Sequence, residues 1–494
     1  MKKILILTTG LLLSIASVGQ ETKKDTITAL KEVEINTNKY KYKREKSTTV
    51  SKMPLNNIEN PQVYNTVTSE LLKEQVITNF NDALKNATGI TRLWESTGRG
   101  GDGAEFYTMR GFSVQPTMVN GLPGINNGSI DPINVDNIEV IKGPSGTLFG
   151  SSLISYGGLI NIVTKKPHQN FSGEIGYNAG TYGMDRITAD INVPLNKEVA
   201  VRITSAYQNE NSFQDAGFSK SLFFAPSLSY KVNDKVSFLI NTEFTNRTSA
   251  NAPMIFLSRY SPLSFNSIDL FEQNYKKSYT SNELTISNPT FNMQAQMQYK
   301  LSENWTSQTV LSRSNSKTDG YYSYLWDSAN GDEFTRFISK RNGQTLATDI
   351  QQNFIGDFKI GGLRNRMVIG VDYYKQNILN GSNNWVGAGT ISLVNQTDSG
   401  EANLTQAGID NLLAGSFEPN SDTESQVVSA YVSDVINITT KLSVMASLRV
   451  DEFRGKTSAY AAEEVKSQIA VSPKFGAVYQ IIENKVSVFG NYMN

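Results

Sequence analysis

The chain has 494 residues, 46 basic and 46 acidic side chains, one histidine and no cysteine. Balanced charge leaves no electrostatic footprint for nucleic acid, which usually needs a basic face. The missing thiols exclude disulfides, thiolate metal sites, cysteine nucleophiles and a lipidated N-terminal cysteine.

The chain opens like an export signal. Lys2 and Lys3 precede a mostly apolar stretch from Ile4 to Ile15, and Ser17-Val18-Gly19 supplies small residues for cleavage. Residues 1–19 are thus expected to be a signal peptide, with a buried N-terminal helix as the alternative. The stretch is too short to span a bilayer. No later run of 18 apolar residues exists, which leaves a membrane barrel open because its strands are apolar only at alternate positions. Residues 20–53 are polar and carry the run Lys39-Tyr40-Lys41-Tyr42-Lys43-Arg44-Glu45-Lys46. That pattern reads as a solvated linker, with membrane-surface contact the weaker option.

From Pro54 to Pro167 the pattern is mixed α and β. A helix is expected over Ser69–Gln75 behind Thr68, and a second begins at Asn79 and stops at Gly89. Short strands are expected at Phe106–Met109, Thr117–Val119, Ile138–Ile141 and Leu159–Val163, with Gly and Pro between them. Gly143-Pro144 and Gly157-Gly158 mark tight turns. From Phe171 onward the rhythm is strict alternation. Val199, Val201, Ile203 and Tyr207 share one face, against Arg202, Thr204 and Gln208 on the other. Ser237–Phe244 and Leu442–Asp451 repeat it. Period two with one apolar face means half-buried strands. An outer-membrane barrel and a large secreted sandwich or propeller both satisfy that pattern.

Two motifs are decoys. Gly98-Arg99-Gly100-Gly101-Asp102-Gly103 satisfies G-x-G-x-x-G but lacks the buried strand before it and the helix after it. His168 has no ligand or triad partners in sequence, so a structural role is expected. No nucleophile–base set stands out, no metal cluster is expected, and no enzyme activity is expected. Tyr321, Tyr322, Tyr324 and Trp326 form an aromatic cluster that suits either an extracellular loop or an interface girdle.

The stretch from Asn60 to Pro167 resembles the plug of TonB-dependent siderophore receptors. The resemblance rests on Pro61-Gln62; Asp82-Ala83-Leu84-Lys85-Asn86-Ala87-Thr88-Gly89-Ile90; Arg110-Gly111-Phe112; and Val119-Asn120-Gly121-Leu122-Pro123. It continues through Ile138-Glu139-Val140-Ile141-Lys142-Gly143-Pro144, Leu148-Phe149-Gly150 and Gly157-Gly158 to Lys165-Lys166-Pro167. Asn137 departs from the family pattern, where a basic residue commonly stands, and so does the segment 151–156. The barrel part is similar more loosely, as at Gly370-Val371-Asp372-Tyr373 and Leu448-Arg449-Val450-Asp451.

The resemblance implies an α+β plug domain (54–168) inside an antiparallel transmembrane β-barrel (169–494), in an outer membrane of Gram-negative type with its lipid as surroundings. It implies a TonB box at Glu32, Val33, Glu34 and Ile35, which would add as a strand to a TonB-type periplasmic energy transducer. It also implies plug–barrel ion pairs from Arg110, Glu139 and Lys142. Ligand contact falls to Trp94, Arg99 and Gln115, with 120–129 as another candidate loop; all of these also read as ordinary loop residues. The expected ligand is a ferric siderophore, with iron carried in the ligand and no cofactor of the protein's own. Alternatives are another scarce cargo such as haem, a corrinoid or a glycan, and a non-transporting surface receptor. The family's extra signalling domain is not recognisable, so transcriptional signalling is not expected. At about 20–25 residues per strand and connection, 172–494 makes about 13–16 strands, against roughly 22 in plugged transporter barrels. The end at Val488–Asn494 reads as mid-strand, and a fragment or truncated product is the expectation.

Overall fold

Burial along the C-terminal strands is inverted relative to a water-soluble protein. In Leu442–Lys456 the side chains shielded from solvent are Ser443, Ser447, Arg449 and Asp451, while Val444, Leu448 and Val450 are exposed. In Val199–Asn211, Thr204 and Gln208 are buried and Ile203 and Tyr207 are exposed. A sandwich or propeller would bury the apolar face; a membrane barrel turns it to lipid and keeps the polar face inside. The alternation that left both folds open is decided by which face is covered.

The computed structural model describes residues 42–493, apart from 48, 50, 101–103, 125–129, 145, 151–154, 259, 261–262, 264–267, 329–332, 417–420 and 457–466. The export segment and the Glu32–Ile35 segment lie outside the described residues.

The plug is built from eight strands. They are β1 (Val63–Thr68), β2 (Ile90–Trp94), β3 (Phe106–Met109), β4 (Phe112–Val114), β5 (Met118–Val119), β6 (Leu122–Pro123), β7 (Val135–Lys142) and β8 (Gly158–Thr164). Five of them form one sheet in the order β1-β7-β8-β5-β6, and β2-β3-β4 form a second. Helix Ser69–Glu74 and the short helix Phe80–Ala83 cover the larger sheet, the latter capped where the Asn79 side chain accepts from the Asn81 amide. Phe80, Leu84, Tyr107, Ile138, Val140 and Ile160 fill the core between them. Gly157 and Gly158 are obligatory. A Cβ would fall 2.3 Å from the Met109 carbonyl oxygen at Gly157, and 2.1 Å from that of Ile141 at Gly158.

The barrel follows as β9 (Ser172–Gly180), β10 (Met184–Pro194), β11 (Val199–Asn211), β12 (Phe218–Lys231) and β13 (Val236–Ala250). Short β14 (Met254–Phe256) and β15 (Thr285–Ser287) precede β16 (Thr290–Lys300), β17 (Trp305–Asp327), β18 (Glu333–Ile360) and β19 (Leu363–Asn380). After β20 (Val386–Ser392) and β21 (Thr397–Asp398) come β22 (Ser421–Asn437), β23 (Leu442–Lys456), β24 (Gln468–Ile482) and β25 (Val486–Met493). Thirteen of these have eight residues or more, the lower bound of the sequence estimate. The order returns from β25 to β9. That seam carries no residue-by-residue register among the described residues, whereas the other long neighbours are antiparallel in register, as β17 and β18 are over 23 pairs.

The two ends differ. Tight connections at 195–198, 232–235, 301–304 and 361–362 mark one end, and the long segments 251–289 and 381–420 mark the other. In outer-membrane barrels short turns face the periplasm and long loops face outward. Two aromatic belts sit on the lipid face. Tyr230 stacks on Phe238 and Trp305 on Phe358 toward the turn end, and Phe244 lies 4.7 Å from Phe291 toward the loop end. Such belts mark the two membrane interfaces.

Candidate functional site

Polar inward faces need partners, and the plug supplies them. Arg186 of β10 grips Asp131 with two bonds of 2.9 and 2.7 Å. Asp190 receives Lys165 of the plug at 2.7 Å and a two-pronged Arg202 at 2.8 Å. Arg366 of β19 meets Glu59 at 2.8 Å, and although burial raises the Glu59 carboxyl, the Arg366 bond and charge hold it below its usual range. Amides finish the seal: Asn134 donates to Glu243, and Asn120 donates to Gln294. Arg449, bound to Asp372 and Asp451, presses on Gly150, where a Cβ would lie 2.9 Å from its Nη2.

These are not the ion pairs expected from sequence. Glu139 sits on β7, between β1 and β8, so its side chain stays within the plug. It accepts from Asn161 at 2.8 Å and from Thr49, and burial raises its carboxyl against those bonds. Lys142 donates to Thr88 at 3.2 Å. Arg110 is exposed at the turn after β3 and stands over Gly143, where a Cβ would approach its Nη1 to 2.9 Å. None of the three makes an ion pair with the barrel among the described residues. The linker expectation also needs correcting near its end: Ser51, Lys52 and Met53 are buried between plug and wall. Lys52 donates to Gln351 at 3.1 Å and to Tyr431 at 3.2 Å, and burial pushes its ammonium down to about 8.

The expected ligand residues lie toward the loop end but are not brought into one cluster. Trp94 packs on Phe106 at 4.6 Å within the plug. Gln115 braces the loop by donating to the Ala104 carbonyl at 3.3 Å. Arg99 reaches the barrel, its guanidinium 5.9 Å from the Tyr322 ring centroid. The Gly98 carbonyl holds this loop to the wall by accepting from Asn288 at 2.7 Å and Thr318 at 2.9 Å. The 98–103 glycine run is therefore a plug loop seated on the wall rather than a phosphate cradle, and 101–103 lie outside the described residues. Of the other loop, 125–129 lie outside them too. His168 bonds with Asn192 and Ser172 at the domain junction, a structural placement.

Around Arg99 the barrel gathers rings. Tyr322 and Tyr324 share the inward face of β17, and Trp385 stands edge-on to both at 5.8 and 4.8 Å. Phe337 stacks on Tyr324 at 5.4 Å, and the Arg341 guanidinium lies 5.3 Å from the Trp385 centroid. Tyr321 points to the opposite face, toward Lys340 and Asp410. The cluster singled out in sequence thus splits by strand parity, and its inward half belongs to the outward mouth rather than to a girdle. Arginine over aromatic faces is a cation–π arrangement, and two guanidiniums among four rings suit a flat or anionic ligand. Arg341, Phe337 and Trp385 carry no motif; only the phase of β18 could have pointed to the first two.

Below this mouth, toward the turn end, a cavity of about 600 Å³ separates plug from wall. Amides line it, among them Asn120, Gln294, Gln296, Gln308, Gln351 and Asn353, and Thr49, Lys52, Met53 and Pro54 close one side.

A plug sealed by buried ion pairs inside a lipid-facing barrel defines an outer-membrane receptor of plugged type. Residues 56–155 match the TonB-dependent Receptor Plug Domain, and residues 229–494, more than half of the chain, match the TonB dependent receptor-like beta-barrel. The chain belongs to the TonB-dependent receptor family. It is 23% identical over 469 residues to the ferripyoverdine receptor of Pseudomonas aeruginosa, covering 90% of this chain and 54% of that protein. It is 22% identical over 384 residues to the ferrioxamine receptor of Yersinia enterocolitica, covering 74% and 51%. The chain spans about half the length of these curated relatives. Among solved structures, the closed form of the ferric-catecholate import receptor Fiu of Escherichia coli superposes with a TM-score of 0.77 at 20% identity, over 92% of this chain and 68% of that one. The Pseudomonas aeruginosa ferripyoverdine receptor bound to ferripyoverdine gives 0.76 at 19%, over 90% and 58%. At these identities the likeness is one of fold.

Proposed function

We propose that this protein binds a ferric siderophore at its outward mouth and imports it across the outer membrane, driven by a TonB-type periplasmic transducer. The observation that carries the reading is the seating of Arg99, from a plug loop, over Tyr322 of the barrel, beside the cluster in which Trp385 meets Tyr324 and Arg341. A ligand seated there touches plug and barrel together, so occupancy can be sensed by the plug. The named relatives are receptors for ferripyoverdine, ferrioxamine and catecholate siderophores, which supports iron chelates as the cargo class. The iron travels inside the ligand, the protein performs no chemistry on it, and Trp94 and Gln115 serve the mouth by shaping the plug loops.

Titration of the detergent-solubilised chain with ferric catecholate, hydroxamate and mixed chelates, read by tryptophan quenching, tests this. One chelate should bind, and Arg99→Ala with Arg341→Ala should weaken it at least tenfold. Failure of every ferric chelate to bind, or unchanged affinity in the double variant, would overturn the reading.

A further inference from the structure

The inward face of β18 and β19 carries a pair of carboxyls that the import reading does not use. Asp349 of β18 stands opposite Tyr374 of β19 in register, and Asp372 of β19 stands opposite Gln351. All four side chains are buried. The carboxyls of Asp349 and Asp372 lie within hydrogen-bond reach of each other. Yet neither oxygen of Asp349, nor Oδ1 of Asp372, meets a donor among the described residues. The Tyr374 hydroxyl, close enough to feel the Asp349 charge, also lacks a partner there. Ionised carboxylates only accept, so a hydrogen bond between two of them needs a proton on one. Like charges held this close do not both ionise.

Charge balance leads to the same proton. Facing the pair are Lys52 from the segment that leads into the plug, Arg449 and Asp451 of β23, and the hydroxyls of Tyr374 on β19 and Tyr431 on β22. Ser312, the β17 neighbour of Asp349, is uncharged. Arg449 binds Asp372 at 3.1 Å and Asp451 at 2.7 Å. Lys52 donates to Gln351, the register partner of Asp372, so its ammonium sits beside the pair. Three carboxylates thus face two cations, and one negative charge is left over. A single proton between Asp349 and Asp372 makes the group neutral, which burial away from water favours strongly. Of these charges only Lys52 lies outside the barrel strands. Its departure would leave the group negative again, and a second proton on the pair would restore neutrality.

We propose that Asp349 and Asp372 share one proton while Lys52 is seated and take a second from solvent when it leaves, so that release of 51–53 from the wall is coupled to proton uptake. Such coupling is reciprocal: if release tightens the hold on protons, acid favours release. The chain has no cysteine, so Ser51→Cys alone reports release through its reaction with a pyridyl disulfide. Ser302→Cys, in an exposed turn, corrects for the thiol's own response to pH. In the full chain in detergent micelles, labelling at 51 relative to 302 should rise about tenfold from pH 7 to pH 5. Asp349→Asn should flatten that rise. Glu139→Gln should keep it, although Glu139 accepts from Thr49 and so also touches the segment. Infrared difference spectra at pH 7 supply the second measurement: the parent should show a protonated-carboxyl band that Asp349→Asn lacks and Lys52→Met strengthens. A band missing from the parent or unmoved by Lys52→Met, or the same pH response of labelling in Asp349→Asn, would overturn the proposal. No chelate and no transducer enters either measurement, so this proposal and the import reading fail separately.

Discussion

Glu105 shows how much one side chain can hold in reserve. It is fully buried at the start of β3, neither carboxyl oxygen has a hydrogen-bond partner in another side chain among the described residues, and burial pushes its pKa up to about 7 from 4.5. A folded pKa above the unfolded one means that Glu105 contributes stability fully below about pH 4.5, and that this contribution fades as pH rises through about 7. The span is worth about 3 kcal/mol. Glu105→Gln should therefore flatten the decline in thermal midpoint between pH 5 and pH 8, leaving the variant more stable at the upper end. Parallel profiles for the two proteins would refute the assignment. Little of this was legible in sequence, since a glutamate between a glycine-rich loop and a strand reads as exposed. The sequence also hides that Arg247 of β13 in the wall acts on this carboxyl across 142 positions, drawing its pKa down against the effect of burial.

At the scale of elements, the contacts that seat the plug rank by burial. The Asp131–Arg186 pair has side chains 10% and 4% exposed. Removing one partner of a buried pair leaves an uncompensated charge and costs about 3–5 kcal/mol. Lys73–Glu174 is shorter at 2.6 Å, but its side chains are 69% and 58% exposed, and such pairs are worth about 0–1 kcal/mol. Asp131→Asn should loosen the plug, seen as faster proteolysis of the plug segment in the intact barrel, whereas Lys73→Ala should match the parent rate. Equal rates for all three would sink this ranking. The plug strands themselves were readable: Phe106–Met109 is found as expected, and the expected Ile138–Ile141 and Leu159–Val163 extend by one to three residues at each end. Their ion pairs were not, because charge on a strand says which face a residue takes and not whether that face meets the wall or another plug segment. Glu139 took the second course.

For the whole molecule, the proposed import requires the mouth, the plug and the N-terminal segment to act in sequence. Glu32–Ile35 is the proposed transducer contact, and an added strand needs free backbone amides. Val33→Pro should leave chelate affinity as it is and abolish uptake of a radiolabelled iron chelate by cells; uptake at the parent rate would reject the box. Lys52 lies 19 residues beyond Val33 and is pinned to Gln351 and Tyr431, but Arg44 pairs with Glu70 and Thr49 donates to Glu139 before it, so a pull on the segment would meet plug contacts before the wall of the amide-lined cavity. What the sequence determined by itself was local and periodic. The alternation of Val199–Tyr207 and Leu442–Asp451 set which residues share a face, and the ordered plug motifs from Asn60 to Pro167 set the family. Tertiary structure decided which face meets lipid, and which distant residues meet across the lumen. Arg99 finds Tyr322 and Arg341 finds Trp385 only when the curved sheet brings strand ends around a seated plug. Strand periodicity encodes a side chain's direction, whereas its partner depends on curvature and register accumulated over many strands.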